Sequence, residues 1–419
     1  MTTARTTAAR TVETDVVVVG AGMAGGAAAA HLAAAGHRVL LLEKQEQHVD
    51  LVRGEWLAPW GVRELHLLGL ADCVAAHGGW EIREWAQWDE VVDPDEAETV
   101  DLSGFVDGVG GPLSFRHHEV CAGIAAQAAE SGAEVRYGVR DVKVTPGAPP
   151  QVTYRDAEGP VTAHCRLVVG AGGRSSPVGR RMGLTMRSDV HHWGAGLAVT
   201  GLDGWAPDVQ AMGTAGDVMF MVFPQGYGRA RLYLNFATGQ QSRYRGPGGV
   251  EAFLDAFRMP CLPDGELVAQ ARPDGPLVCW PSVSTVPLGL PVAEGVVLVG
   301  DEAGANDTVL GTGLSNALRD VRLVGEVLAR TDRWGDPASY APYLAEREAR
   351  MRRLHLGADV MCRLQAEFGP DATARRARAR ARMAANPAMA VMGLLSMTPP
   401  ETVPEFGFHE FFVDRLLAA

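Results

Sequence analysis

Hydrophobic and polar positions alternate in three textures along the chain. Unbroken apolar runs at Asp15-Val-Val-Val-Val-Gly20, Arg38-Val-Leu-Leu-Leu42 and Val296-Val-Leu-Val-Gly300 predict strands buried on both faces, as in a parallel sheet. An alanine-rich stretch ending at Gly36 and an apolar-periodic stretch from Gly311 to about Leu328 predict helices, each entered through glycines. Between about 186 and 285 the period shortens to two, which predicts strands over Gly194 to Thr200, Asp217 to Phe223 and Arg229 to Phe236. Residues 335 to 400 read as helices. The tail Pro404-Glu-Phe-Gly-Phe-His-Glu-Phe-Phe412 is too apolar to stay in water, so it is expected to dock on the body or on a partner subunit.

This pattern predicts an α/β chain: a Rossmann-like nucleotide domain over 15–185 plus 286–335, a mixed-sheet substrate domain over 186–285, and a helical region over 336–419. Strands near 80–113 are candidates to join the second sheet. The threonine- and alanine-rich start, 1–14, reads as a frayed tail and not an export signal. From Val16 to Gly36 no charged residue appears, which raises the question of a membrane span. Gly20, Gly22, Gly25 and Gly26 break that run where a strand should become a helix, so no span is expected.

A length of 419 residues suits two or three packed units. The net charge of −12 argues against nucleic acid as the main partner. An arginine run at Arg375, Arg376, Arg378, Arg380 and Arg382 falls all round a helix and reads as a solvated one. Six scattered cysteines without a C-x-x-C, and histidine pairs at His117–His118 and His191–His192 that diverge in helix or strand, indicate neither a disulfide framework nor a metal. A reducing cytoplasm fits.

The chemistry begins at Gly20-Ala-Gly-Met-Ala-Gly25. Gly20 permits a tight turn, Gly22 lets backbone approach a pyrophosphate, and Gly25 lets the helix lie close on the strand. The helix start, with Met23 and Ala24, offers free N–H groups to phosphate. Glu43, ending the second strand beside Lys44, can accept hydrogen bonds from a ribose. Strand, turn, helix, strand and acid together specify a dinucleotide, without separating FAD from NAD.

A second constellation, Gly300-Asp301-Glu-Ala-Gly-Ala-Asn-Asp-Thr-Val-Leu-Gly311-Thr-Gly313-Leu314-Ser-Asn316, closely resembles the second FAD motif of the aromatic-hydroxylase (para-hydroxybenzoate hydroxylase-like) family of flavin monooxygenases. The likeness extends to Arg53-Gly-Glu, similar to that family's flavin-proximal arginine segment. Ser114-Phe-Arg116 resembles its FAD-reaching arginine, Val139 falls at its adenine-side backbone contact, and Leu167-Val-Val-Gly-Ala-Gly172-Gly-Arg-Ser-Ser176 stands at its middle motif. The resemblance spans residues 15 to about 330. It implies FAD as cofactor, NADPH or NADH as electron donor, O2 as co-substrate, and a flavin 4a-hydroperoxide that hydroxylates or epoxidises a small, mainly apolar aromatic or polyketide-like molecule, as in natural-product tailoring. Three positions depart from it: Gly172 replaces the middle-motif aspartate, Thr308 replaces a flavin-side proline, and Gly304 replaces a histidine. These keep a dehydrogenase or reductase in view, and leave a separate flavin reductase as an alternative electron source. A flavin halogenase needs a substrate-side lysine, and the only lysines, Lys44 and Lys143, are expected at the nucleotide end. Substrate contacts are expected from Phe223, Gln225, Arg231, Tyr233 and Asn235; no catalytic residue is named. A monomer and a homodimer both fit.

Overall fold

A computed structural model describes residues 10–418 other than 94–96, 98 and 175. Its first layer is a six-stranded sheet in the order Val292–Ala293, Val296–Leu298, Leu167–Gly170, Val16–Val19, Val39–Leu42, Glu134–Arg136. All neighbours run parallel except the first pair. Its central strands are apolar throughout because both faces are covered. Helices Met23–Ala34, His117–Glu130 and Gly313–Arg330 pack together on one side. The uncharged run from Val16 therefore divides into a buried strand and a buried helix. Among the described residues no helix is long and apolar enough to cross a membrane.

A four-stranded sheet lies on the other side. Its edge is Arg10–Glu13, which runs parallel to Gly159–His164 and joins an ion pair from Arg10 to Asp156. The expected frayed tail thus stops short of residue 10: alternating Arg-Thr-Val-Glu finds a sheet edge and pairs with it. Residues 1–9 of that predicted tail lie outside the described residues.

The alternating region forms most of an eight-stranded sheet. Met186–Thr200, Arg229–Phe236, Val218–Pro224 and Val209–Ala215 are antiparallel neighbours, and Val278–Pro287 pairs with the first. Glu84–Gln87 and Thr99–Asp101 extend the other edge. Alternation sorts its side chains: Leu197, Phe220, Val222, Leu232 and Leu234 bury against Phe253 and Phe257 below. Met219, Met221, Phe223 and Tyr233 point up into the core shared with the nucleotide domain.

The C-terminal helices Ala341–Met361 and Pro370–Ala385 wrap this assembly, joined through a π turn at Cys362–Ala366. The arginine run is not solvated as expected. Arg376 is buried against Asp89 and Glu90, Arg375 holds the Arg363 carbonyl, and Arg382 holds the carbonyls of Leu416 and Ala418. These arginines satisfy chain-end carbonyls and buried acids that a purely helical reading of the run does not see. The apolar tail docks only in part: Phe408 and Phe412 pack against the core, while Phe406 and Phe411 stay 43% and 77% exposed. Arg353 stacks 4.7 Å from the Phe408 ring centroid and donates to the carbonyls of Pro400 and Val403.

Candidate functional site

The parallel strands end at a common crevice. Gly20 turns there with φ +102°, and a Cβ on it would lie 2.7 Å from the Ala171 carbonyl oxygen. A Cβ on Gly25 would lie 1.7 Å from the Gly20 oxygen, so only glycine lets this helix sit so near the strand. Gly22, the N-cap, has nothing within 4 Å of its Cβ position and no capping side chain. Met23 and Ala24 follow, buried, in the first turn. Glu43 reaches across from the next strand end, accepting from the N–H of Ala21 at 2.8 Å and of Gln45 at 2.9 Å. Lys44 beside it is exposed. Val139, expected to offer an adenine-side backbone contact, is held beside this strand end, its N–H donating to the Glu43 carbonyl at 3.0 Å.

From the far side, Gly300 (φ +61°) donates to the Asp320 carboxylate at 2.9 Å and leaves Asp301 beside Arg174, 3.6 Å away. Desolvation pushes the Asp301 carboxyl up, against the pull of Arg174 and Arg53. Gly311 (φ +68°) closes a 3-10 turn against the Trp56 ring, and the helix beginning at Gly313 has no capping side chain either. Leu314 lies against Gly54, which brings the exposed Arg53 to this helix start. Asn316, expected at the cofactor, is buried and engaged elsewhere: it donates to Asn306 and accepts from Arg350. Two helix N-termini without side-chain caps, an open glycine and two strand-end acids fit the pyrophosphate, ribose and ribityl parts of a flavin dinucleotide.

The middle motif carries no acid of its own at Gly172. Glu302 fills the gap: its carboxylate accepts from the N–H of Gly172 at 2.8 Å and of Gly179 at 3.2 Å. Burial raises the Glu302 carboxyl, opposed by these bonds and by Ser176. A side chain on Gly172 would meet Ser176 Oγ at 2.7 Å.

The upper face of the large sheet meets the Val52–Trp56 segment. Trp56 stacks on Phe223 with centroids 6.2 Å apart, Phe223 meets Tyr233 at 5.8 Å, and Tyr233 meets Trp280 at 6.1 Å. The Tyr233 hydroxyl donates to the Arg53 carbonyl, and burial pushes its pKa up. Thr308 and Ser282 share a hydrogen bond of 2.7 Å at the edge of this wall.

Of the other expected substrate contacts, three are engaged within the protein. Arg231 is fully buried, with two bonds to Glu55 (2.6 and 2.9 Å) and two to Asp50 (2.9 and 3.1 Å). Gln225 donates to Glu55 and to the Phe115 carbonyl, while Asn235 donates to the Met219 sulfur. Arg116, expected to reach FAD, turns to Asp274 and Asp50. Charge explains the difference: Glu55 and Asp50 need cations where little water reaches, and Arg231 and Arg116 supply them, Arg116 also pairing with the exposed Asp274.

The FAD binding domain family matches residues 13–253. The chain belongs to this family of flavin-dependent oxidoreductases. It is 30% identical over 345 residues, 78% of this chain and 81% of the other, to a digeranylgeranylglycerophospholipid reductase of Methanocella arvoryzae. To a menaquinone reductase of Mycobacterium tuberculosis it is 28% identical over 349 residues, 76% and 77% of the two chains. Its fold is that of p-nitrophenol 4-monooxygenase from Pseudomonas putida (TM-score 0.75, 18% identity, 97% and 99% covered). It is also that of a flavin-dependent halogenase (0.76, 19%, 97% and 76%).

As a member of the FAD binding domain family the chain presents residues that sequence reading missed. Glu302 was visible only as the residue after Gly-Asp. Glu55 stood inside the quoted Arg53-Gly-Glu, yet nothing local announced its partner 176 positions away. Trp280 lay among nine tryptophans that composition cannot rank.

Proposed function

We propose that this chain is an FAD-dependent reductase that saturates a double bond in an apolar, unsaturated small molecule, polyprenyl- or quinone-like. The observation that carries the reading is likeness to reductases over three quarters of the chain, beyond the nucleotide motifs and into the large sheet. Gly172, Thr308 and Gly304, the departures from the hydroxylase pattern, support it.

Bound and reduced, FAD supplies a hydride at this site. The chain's own part is to bind and orient. Gly20, Gly22, Gly25 and the helix starting at Met23 would hold the pyrophosphate, with Glu43 on the ribose. Asp301, Gly311, Gly313 and Leu314 would hold the ribityl and ring side. Trp56, Phe223, Tyr233 and Trp280 offer a continuous aromatic wall that favours an apolar substrate and excludes water. Tyr233, fixed by the Arg53 carbonyl, keeps that wall in register with the flavin-side loop.

The second reading is a monooxygenase acting on an aromatic or polyketide-like molecule with O2, favoured by the motif resemblance from Gly300 to Asn316. Oxygen dependence separates the two. Purified protein with FAD, reductant and a panel of polyprenyl and quinone substrates is expected to give products heavier by two hydrogens under strict anaerobiosis. Products heavier by one oxygen, formed only in air, would overturn the reductase. Anaerobic bleaching of the flavin by NADPH or NADH decides whether the chain reduces its own cofactor or needs a separate flavin reductase.

A further inference from the structure

Among the described residues each buried acid faces an arginine or a pair of backbone N–H groups, with one exception. Glu55 faces Arg231, Glu64 faces Arg319 and Arg322, Asp89 faces Arg376, and Asp320 faces Arg347 and Arg350. Glu302 accepts two backbone N–H groups. Asp307, 1% exposed, has no arginine; Oδ1 accepts one N–H, from Val309, and Oδ2 has no hydrogen-bond partner. Its neighbours are His192, 0% exposed, with Nε2 3.7 Å from Oδ1, and Cys362, 4% exposed, with its sulfur 3.9 Å from His192 Nδ1. His192 Nε2 is likewise buried without a hydrogen-bond partner. One ring nitrogen, the sulfur and one carboxylate oxygen lie within 4.8 Å of one another.

We propose that Cys362, His192 and Asp307 bind a divalent zinc-type ion. Thiolate, imidazole and carboxylate are the ligands such an ion takes, at about 2.0–2.3 Å each, so binding draws these three atoms inward by roughly an ångström. The charges also balance. A dication with one thiolate and one carboxylate is neutral, which suits a site out of contact with water, and the thiol proton leaves to solvent on binding. The only other such group among the described residues, Asp50, Glu55 and His118, already has its charge met by Arg231 and Arg116.

The three ligands come from distant parts of the chain. His192 sits at the irregularity where Met186–Thr200 pairs with Val278–Pro287, Asp307 opens the turn leading to Gly311, and Cys362 opens the π turn. The ion fastens the flavin-side turn to the sheet and to the C-terminal helices.

Because the site is closed, the ion enters during folding, and the test uses protein expressed in zinc-supplemented medium and purified without chelator. Elemental analysis is expected to give about one zinc per chain, and at least tenfold less in Cys362→Ala and His192→Ala, with Cys279→Ala unchanged. Zinc-edge X-ray absorption of the unaltered protein is expected to show a sulfur neighbour at about 2.3 Å, a readout that does not depend on any variant folding. Less than about a tenth of an equivalent of any first-row divalent metal in FAD-loaded protein would overturn the proposal, as would bound zinc without a sulfur ligand.

Discussion

Replacing Arg231 with methionine separates a structural role from a substrate-binding one. The side chain is fully buried and makes two hydrogen bonds to Glu55 and two to Asp50. Methionine fills most of the volume but leaves both carboxylates without that cation. Removing one partner of a buried ion pair costs about 3–5 kcal/mol. Glu55 keeps bonds from Gln225 and from the His117 N–H, and Asp50 keeps the Val52 N–H and Arg116, so the lower end applies, about 3 kcal/mol. Urea denaturation followed by tryptophan fluorescence should show that loss. Glu55→Gln combined with Arg231→Met should cost less than the sum of the single changes by about 2 kcal/mol, since the double variant buries no unpaired charge. A stability change under about 1 kcal/mol for Arg231→Met, together with a raised KM, would return Arg231 to the substrate and refute the structural reading.

Other changes test the crevice. Gly25→Ala, whose Cβ would lie 1.7 Å from the Gly20 oxygen, should push the helix off its strand and weaken FAD binding at least about tenfold in flavin titrations. Gly22→Ala meets no protein atom within 4 Å, so its apoprotein should melt like the parent while FAD affinity falls; unchanged affinity would place the phosphates elsewhere. Glu302→Gln loses charge-assisted bonds to Gly172 and Gly179, about 1.5–3 kcal/mol, and should show as easier flavin release. Burial opposes ionisation of Asp320, but Arg347 and Arg350 outweigh it and hold the carboxyl below the usual range. Its contribution is therefore complete above about pH 4, where the unfolded group titrates, and is lost as pH falls through the lower folded value. Asp320→Asn should lessen the acid sensitivity of unfolding below that pH.

Local pattern carried the elements that depend on local physics. Arg229–Phe236 forms as its alternation predicts, and the Val16–Val19 strand with its glycine turn follows from residues within ten positions of one another. Asp307 and Glu302 were written in the same motif, but their surroundings come from residues 172, 179, 192 and 362, which no window contains. Arg231, Tyr233 and Asn235 do share a face; which of them meets a substrate depends on Glu55 and Asp50, and alternation is silent about partners across the fold. Arg10–Glu13 is short, polar and alternating, and only the edge offered by Gly159–His164 makes it a strand.

The strand Val296–Leu298 lies beside Leu167–Gly170, which in turn lies beside Val16–Val19. The last parallel strand and Asp301 are therefore made long after the first, and the glycine turn at Gly20 sits on an incomplete sheet until then. A flavin held as proposed would therefore load late in synthesis, and a fragment ending near residue 253 should carry the glycine turn yet retain flavin poorly.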